Sequence, residues 1–340
     1  MSSSGSTSIK NLVLGLLLCA LLLAAAYTLS SPHAPPSPPQ GPQGYMYCTG
    51  GTVAVQRGGG STITNATYFA PVNGSGISVW MPTSNSPLPS YGASCTAYGG
   101  YAYCVGGIVH GLASNTSYYA QLYTDGAGTW SRTSSFPAQN GSGKESCVTY
   151  ASAIFCVQRG SNTESFANVS GDGIGRWQLQ QHYSGASNLG SCTSYNDFAY
   201  CIGQSASGYY LYYSHISPIT GFGQWQATNS LYPSGLGGAA CVQSGGYLYC
   251  TGGSNSTGQS SQSYYTPLTT NGMVRWNSTT QYPIQTQDAA CQQYGGYIYC
   301  VGSQYMSNTV YYAPLSQSGI GGWQTSQYPI AVSDPSCTTE

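Results

Sequence analysis

The sequence predicts an all-β protein in which six units of four short strands close into a ring. Five cysteine pairs share one spacing and recur roughly every 50 residues: Cys95/Cys104, Cys147/Cys156, Cys192/Cys201, Cys241/Cys250 and Cys291/Cys300. Cys48 follows Tyr-x-Tyr, like the second member of a pair, and Cys337 follows Ser, like the first. The two ends of the chain then supply the halves of a sixth pair. A closed ring explains this split repeat, whereas a linear array has no reason for it.

The cysteine spacing predicts a β-hairpin at the start of each unit. A two-residue Gly245-Gly246 turn places Cys241 opposite Cys250, and the same arithmetic gives the turns Gly99-Gly100, Ala151-Ser152, Asn196-Asp197 and Gly295-Gly296. Gly-Gly and Asn-Asp suit the positive φ values of tight hairpins, whereas Ala-Ser suits them poorly. The cysteines fall at a non-hydrogen-bonded pair, where the two backbones come closest.

This geometry is compatible with cross-strand disulfides, although the separation lies near the short end of the allowed range. We therefore predict bridges within all five pairs and a sixth between Cys48 and Cys337. In the shared register, Thr338, Thr339 and Glu340 then pair with Tyr47, Met46 and Tyr45. Zinc is the alternative, but it needs four clustered ligands, and isolated pairs do not offer them. Of the 13 cysteines, 12 are in register, which indicates an oxidising compartment.

A second hairpin follows in every unit. Aromatic-rich strands such as residues 68–72, 118–122 and 311–315 lead to a polar-Gly step, and a tryptophan follows five residues after the polar residue. The steps are Ser75-Gly76, Asp125-Gly126, Asp172-Gly173, Thr220-Gly221, Asn271-Gly272 and Ser318-Gly319, and the tryptophans are Trp80, Trp130, Trp177, Trp225, Trp276 and Trp323. One interpretation is a ring of aromatic binding platforms. Placement in every unit favours packing between units instead.

Four short strands per unit, repeated six times with mixed ends, indicate a six-bladed β-propeller. Over residues 45–340 the sequence resembles the kelch repeat family, whose blades carry a Gly-Gly doublet after the second strand and a spaced Tyr and Trp. The doublets are Gly50-Gly51, Gly106-Gly107 and Gly252-Gly253, with one glycine kept at Gly203 and Gly302 and none at Gln158-Arg159. The resemblance implies the fold and not an activity, because one fold serves many functions.

The N-terminus predicts export. Lys10 precedes an apolar run over residues 12–29, which has the length of a membrane span. We expect residues 1–30 to form a signal-anchor transmembrane helix with its N-terminus inside. A cleaved signal peptide and a lipidated Cys19 are alternatives. Residues 31–44 form a proline-rich linker that acts as a stiff spacer. The expected localisation is therefore a single-pass membrane protein with an extracytoplasmic propeller, for which the membrane is a partner.

The composition limits the chemistry. About 4% of residues are charged and the net charge is −1, so no basic patch exists for nucleic acid. The sequence lacks a Gly-x-Ser-x-Gly elbow, a P-loop, a His-Glu-x-x-His pair and a dinucleotide fingerprint. The four histidines fall singly in different blades or in the linker, so we predict neither a metal site nor a cofactor. Galactose oxidase also has a kelch propeller, but its copper site needs two His, two Tyr and a Tyr-Cys crosslink. The cysteines of this chain are already assigned to disulfides, so a copper radical enzyme is disfavoured.

One charged cluster is present in the third blade. Lys144 and Glu145 begin its first strand, whereas Arg159 and Glu164 follow its second strand. Because these strands are antiparallel, we expect all four side chains on one face, near the central tunnel. They are the candidate ligand-binding residues, for an acidic sugar such as those of the six-bladed kelch mutarotases. The alternative is a surface salt-bridge group of little energetic value.

Three sequons, Asn65, Asn115 and Asn255, fall in the same inter-hairpin segment of different blades and are predicted glycosylation sites. Two functions remain open. The first is a surface binding or adhesion module for glycans or proteins, and the second is a carbohydrate-active enzyme of the mutarotase or oxidase type. The few titratable groups favour the first.

Overall fold

The protein is described by a computed structural model over residues 43–55, 59–137, 143–161, 163–181, 187–233, 237–303 and 305–340. The predicted signal anchor over residues 1–30 and almost all of the linker over residues 31–44 lie outside these ranges. Within them, no helix is long and apolar enough to cross a membrane. All described residues belong to one compact unit, Gly41–Glu340.

The first two segments of the chain carry 13 strands. The N-terminal segment contains β1 (Gly44–Thr49), β2 (Thr52–Ala54), β3 (Ser61–Ile63), β4 (Thr67–Asn73), β5 (Gly76–Ile77) and β6 (Met81–Pro82). The next contains β7 (Ser94–Tyr98), β8 (Tyr101–Val105), β9 (Ile108–Val109), β10 (Leu112–Ala113), β11 (Ser117–Tyr123), β12 (Gly126–Ala127) and β13 (Ser131–Arg132).

The middle two segments contain five described strands each. The third contains β14 (Glu145–Tyr150), β15 (Ala153–Gln158), β16 (Glu164–Ser170), β17 (Gly173–Ile174) and β18 (Gln178–Gln180). The fourth contains β19 (Ser187–Tyr195), β20 (Phe198–Ser205), β21 (Gly208–Ser217), β22 (Gly221–Phe222) and β23 (Gln226–Leu231).

The last two segments complete the described chain. The fifth contains β24 (Ala240–Ser244), β25 (Tyr247–Thr251), β26 (Ser254–Asn255), β27 (Gly258–Gln259), β28 (Ser263–Pro267) and β29 (Asn277–Ser278). The sixth contains β30 (Ala290–Tyr294), β31 (Tyr297–Val301), β32 (Ser307–Ser316), β33 (Gly319–Ile320) and β34 (Gln324–Ser333), and the C-terminal strand is β35 (Ser336–Thr339).

These strands form an all-β propeller, as predicted. Five blades are each folded from one continuous segment, in the strand orders β7-β8-β11-β13, β14-β15-β16-β18, β19-β20-β21-β23, β24-β25-β28-β29 and β30-β31-β32-β34. The remaining sheet, β35-β1-β4-β6, is built from both ends of the chain. The structure therefore has five blades that are each continuous in sequence, one fewer than predicted, and the remaining predicted unit is a sheet shared by the termini.

The innermost strands surround a central channel. They contact one another in the cyclic order β35, β7, β14, β19, β24, β30 and back to β35. The seam lies in the composite sheet, where Cys48 is opposite Cys337 and Tyr47 is opposite Thr338. Tyr45 and Glu340 exchange backbone hydrogen bonds of 2.9 and 3.0 Å, as the shared register predicts. A second connection between the termini is made by β2, which pairs with β34.

The six predicted disulfides are confirmed. Each joins the innermost strand of a sheet to the next strand, and the Cα atoms of each pair are 4.0 to 4.1 Å apart. The bridges are Cys48–Cys337, Cys95–Cys104, Cys147–Cys156, Cys192–Cys201, Cys241–Cys250 and Cys291–Cys300.

Two of the hairpins depart from the regular pattern without losing their bridge. The Ala151-Ser152 turn adopts the same shape as the Gly-Gly turns, with φ values of 45° and 61°. The pairing of the two strands therefore imposes positive φ values on Ala151 and Ser152, although these residue types disfavour them. In the blade formed by β19–β23 the register of β19 against β20 shifts between Gly190 and Thr193. The bridge between Cys192 and Cys201 is nevertheless formed.

The tryptophans pack between blades, which is the interpretation that periodic placement favoured. Four of them meet an aromatic ring of the preceding blade edge to face, with ring centroids 4.8 to 5.0 Å apart. The pairs are Trp80 with Tyr328, Trp177 with Phe136, Trp276 with Tyr232 and Trp323 with Tyr282. Each pair buries a large apolar area and adds the directional preference of aromatic contacts.

Another set of aromatic side chains links the blades by hydrogen bonds. In four of the sheets, the tyrosine that precedes the cysteine of the second strand donates its hydroxyl to a backbone carbonyl of the neighbouring sheet. Tyr103 bonds Ser170 at 2.8 Å, and Tyr249 bonds Ser316 at 2.8 Å. In the blade formed by β14–β18 this position is Phe155, which cannot donate such a bond.

We expect Tyr282→Phe to leave the free energy of unfolding unchanged or to raise it. The hydroxyl of Tyr282 is buried and has no hydrogen-bond partner among the described residues, and Phe136 fills the equivalent position in another blade. Burying an unpaired hydroxyl costs about 1–3 kcal/mol. Tyr249→Phe is the matched control and should lose about 1 kcal/mol, because it removes the bond to Ser316. Denaturant titration compares the two variants, and equal losses would contradict the expectation.

Candidate functional site at one end of the channel

The N-terminal ends of the innermost strands meet at one mouth of the channel. A cavity of about 200 Å³ lies there, lined by the residues just before the inner-strand cysteines of all six sheets. Four charged side chains project into it: Lys144, Arg159, Asp288 and Asp334. Lys144 precedes β14 and Arg159 follows β15, whereas Asp288 and Asp334 precede β30 and β35. The mouth therefore brings together charges from distant parts of the sequence.

Ion pairs connect these four side chains across the channel. Lys144 Nζ lies 3.1 Å from Asp288 Oδ2 and 3.4 Å from Asp334 Oδ2. Arg159 Nη1 lies 3.1 Å from Asp288 Oδ1. All four side chains are 20 to 24% exposed, so the pairs are partly shielded from water while a ligand can still reach them. Partial desolvation strengthens such pairs relative to fully exposed ones.

The two aspartates have different electrostatic environments. Burial alone raises the pKa of Asp288, but the charges of Arg159 and Lys144 hold this pKa below its ordinary value. For Asp334, burial outweighs the contribution of Lys144, and the nearby charge of Asp288 adds to it, so the pKa of Asp334 is raised. Asp288 is thus ionised and paired with both cations. The negative charge of Asp334 is balanced less fully by neighbouring positive charge.

A second cavity opens beside the mouth. It has a volume of about 320 Å³ and shares Lys144, Arg159 and Asp288 with the first. It extends between the blades formed by β19–β23 and β24–β29 to Asn188, Tyr209 and Gln287. These residues add amide groups and an aromatic ring. The combined site therefore offers charge at its centre and neutral polar groups to one side.

The disulfides contribute only one cysteine of each pair to the mouth. The inner-strand cysteines line the first cavity, whereas their partners on the second strands line neither cavity at the mouth. These partners are Cys48, Cys104, Cys156, Cys201, Cys250 and Cys300. The bridges therefore fasten the strands that carry the site, and their second cysteines belong to the interior of the blades.

Glycines make room for the two cations. The methylene chain of Lys144 lies against Gly92, where a Cβ atom would be 3.1 Å from Lys144 Cγ. Arg159 lies against Gly190, where a Cβ atom would be 2.6 Å from Arg159 Nε. A larger residue at Gly190 would displace the guanidinium group, so this glycine positions Arg159.

Glu145 lines the mouth but turns its carboxylate towards the preceding blade. Its Oε2 accepts the backbone N–H of Gly107 at 3.0 Å, and a Cβ atom on Gly106 would be 2.1 Å from Oε2. The Gly106-Gly107 doublet therefore forms the cradle of this carboxylate. Burial raises the pKa of Glu145 to about 7, although the Gly107 N–H opposes this shift. Oε1 has no hydrogen-bond partner among the described residues.

Glu164 lies away from the mouth. Its side chain is fully buried, and Oε1 accepts a hydrogen bond of 2.8 Å from the indole N–H of Trp225 in the next blade. It lines neither cavity at the mouth. Of the four candidate residues, the structure thus places Lys144 and Arg159 in the charged cluster, Glu145 at its edge and Glu164 in the packing between two blades.

Asp288 and Asp334 were missed by sequence reasoning, although the repeat register contains the signal. Both lie three residues before the inner-strand cysteine, the position that Lys144 occupies in the third blade. Their φ values are 55° and 48°, and Gly92 and Gly238 have positive φ at the same position. Aspartate tolerates this left-handed conformation better than most residues. Aligning all six units on the cysteines would have placed the three charges in one ring.

The three predicted glycosylation sites occupy two kinds of position. Asn65 and Asn115 immediately precede β4 and β11, whereas Asn255 lies in β26, within a small hairpin with β27. Asn115 and Asn255 are exposed, and Asn65 is half-buried and donates its amide to the Ser86 carbonyl at 2.9 Å. Glycosylation at these positions stays a prediction. Within the described ranges, no group of three or more His, Cys, Asp or Glu side chains could hold a metal ion.

Comparisons with known proteins support the fold alone. The chain matches no protein-family model, and it matches no curated protein sequence. It is similar in structure to YjhT, with a TM-score of 0.54 and 12% sequence identity, over 72% of this chain and 86% of YjhT. At this identity the similarity shows that the two chains share a propeller architecture.

Proposed function

We propose that this chain is an extracytoplasmic, six-bladed kelch-type propeller that acts as a binding module for glycans or proteins. In this proposal its N-terminal segment anchors it to the membrane and its ligand occupies the charged mouth. The composite sheet counts as the sixth blade, and the glycine doublets support the kelch assignment because Gly50, Gly51, Gly106, Gly107, Gly252 and Gly253 all have positive φ. Six disulfides indicate an oxidising environment.

The convergence of charge at the mouth carries the functional proposal. The chain contains only seven Lys and Arg and eight Asp and Glu, yet four of these residues meet at a single opening. Paired cations and carboxylates that a ligand can rearrange are suited to a glycan that bears a charged group.

A glycan-array screen of the full chain, purified with its disulfides intact, tests this proposal. We expect binding to be selective for charged glycans and to weaken at least tenfold in Arg159→Gln, because a charge-assisted hydrogen bond contributes about 1.5–3 kcal/mol. Arg132→Gln is the matched control, since Arg132 is exposed on the outer strand β13. Unchanged binding in a Lys144→Gln/Arg159→Gln double variant would rule out the mouth as the site.

The second candidate function is a carbohydrate-active enzyme of the mutarotase or oxidase type. Glu145 favours it, because a carboxyl group with a pKa of about 7 at the edge of a polar cavity suits general acid–base chemistry. The same screen discriminates between the two functions. Selective binding without turnover supports the binding module, whereas interconversion of the anomers of a bound sugar, followed by NMR, supports the enzyme.

A further inference from the structure

The other end of the channel holds a cavity of different chemistry. It has a volume of about 270 Å³ and is lined by Thr, Ser and Gln side chains, two valines and the inner-strand cysteines. None of the described residues that line it is charged. The five cysteines Cys95, Cys147, Cys192, Cys241 and Cys291 line both this cavity and the charged mouth, so the two lie on one channel axis.

The hydrogen bonds around this cavity leave free groups at its wall. Gln292 donates its Nε2 to the Cys337 carbonyl at 2.7 Å, and Gln293 donates its Nε2 to Ser244 Oγ at 3.4 Å. These bonds use the amide nitrogens and leave the amide oxygens as acceptors. The side chain of Gln243, which is half-buried, makes no hydrogen bond to any described residue. Amide groups thus converge on the cavity with unused donors and acceptors.

Tyrosines lie near the turns at this end of the channel, although none of them lines the cavity. The residue three positions after the inner-strand cysteine is Tyr98, Tyr150, Tyr195 or Tyr294 in four of the sheets, each next to the turn that ends the innermost strand. Tyr98 is 37% exposed, and the other three are half-buried. Glu340 holds this position in the composite sheet, and its Oε1 accepts the Gly100 N–H at 2.8 Å. Tyr150, Tyr195 and Tyr294 pack against hydrophobic clusters of the blades, so the wall of the cavity consists mainly of the Thr, Ser and Gln side chains.

We propose that this end of the channel is a second binding site, for a neutral polyhydroxylated ligand such as the terminal unit of an uncharged glycan. Sugar hydroxyls both donate and accept hydrogen bonds, which matches free amide groups that offer both functions. A charged ligand would lose hydration without meeting an opposite charge in the cavity wall. The volume lies just below the range of about 300–1000 Å³ for drug-sized ligands, so a single sugar unit is the fitting size.

Calorimetric titration of the full chain with the methyl pyranosides of glucose, galactose and mannose and with N-acetylglucosamine tests this site. At least one of them should bind, and Gln243→Ala/Gln293→Ala should weaken that binding about tenfold, because two hydrogen bonds of about 0.5–1.5 kcal/mol are lost. Gln324→Ala on the outer strand β34 is the matched control. Absence of binding for all four sugars, or equal affinity in the double variant and the control, would overturn the proposal.

Two further measurements separate this site from the charged mouth and from loss of folding. Arg159→Gln should bind the neutral sugar with unchanged affinity even if it loses charged glycans, so the two proposals can fail independently. In the unaltered protein, the side-chain amide NMR signals of Gln243 should shift on addition of the sugar. Shifts confined to residues of the charged mouth would place the neutral sugar there and refute the second site.

Discussion

Removal of the Cys48–Cys337 bridge should destabilise the protein about twice as much as removal of the Cys241–Cys250 bridge. The first closes a loop with a sequence separation of 289 residues and the second a loop with a separation of nine. In the chain-entropy treatment of disulfides, these separations correspond to about 5–6 and about 2–3 kcal/mol. The larger value arises because the long loop has many more unfolded conformations to lose.

The position of the seam adds to this difference. Every other bridge lies within a hairpin whose turn already holds the two strands together. β35 and β1 have no connecting turn, and apart from the disulfide the ring is closed by their backbone pairing and by the pairing of β2 with β34.

Double serine variants of each pair, which leave no free thiol, allow the comparison by thermal unfolding under oxidising conditions. The difference of about 3 kcal/mol corresponds to a difference in Tm on the order of 5 °C for a protein of this size. The single variants Cys337→Ser and Cys241→Ser should rank in the same order. Equal losses of Tm for the two pairs would show that the ring is not fastened at this seam.

The free energy of unfolding of the unaltered protein should fall between about pH 4.5 and pH 7. The variant Glu145→Gln should not show this fall. Burial raises the pKa of Glu145 from 4.5 to about 7, so in this range the folded state holds a proton that the unfolded chain has released. The free energy of unfolding therefore falls as the pH rises through this window. The shift corresponds to a loss on the order of 3 kcal/mol above pH 7.

Glutamine keeps the shape of the side chain and an oxygen for the Gly107 N–H, but it has no charge to bury. Stability measured by denaturant titration at pH 4 should therefore be similar in the two proteins, and at pH 8 the variant should be the more stable. Asp172→Asn is the matched control, because Asp172 is exposed in a hairpin turn. A constant difference between variant and parent at both pH values would show that Glu145 does not titrate in this window.

The sequence predicted most of the fold because its signals are local. Identical spacing between Cys241 and Cys250 and between Cys291 and Cys300 fixes the turn length and the strand register within a hairpin. The split between Cys48 and Cys337 extends the same register to the ends of the chain and predicts ring closure. Each of these inferences depends on residues whose separation or repetition can be read along the chain.

The candidate site was predicted only in part, because side-chain direction depends on neighbouring blades. Lys144 and Glu145 are adjacent in sequence, yet Lys144 crosses the channel to Asp288 while Glu145 turns to Gly107. Glu164 was expected on the same face but pairs with Trp225 in the next blade. Alternation along a strand sends successive side chains to opposite faces, and the choice of face is not visible in one unit alone.

The all-β architecture and the disulfide pairing were predictable from the sequence, since cysteine register and repeat length are properties of the chain, and the same cysteines indicate an oxidising compartment. Which charges meet depends on the folded ring, because Lys144 and Arg159 are more than a hundred residues from Asp288 and Asp334. Charged side chains line the cavity at one end of the channel, whereas none of the described residues that line the cavity at the other end is charged. The physical reason is ring closure, which brings equivalent positions of separate blades within hydrogen-bonding distance around a single axis.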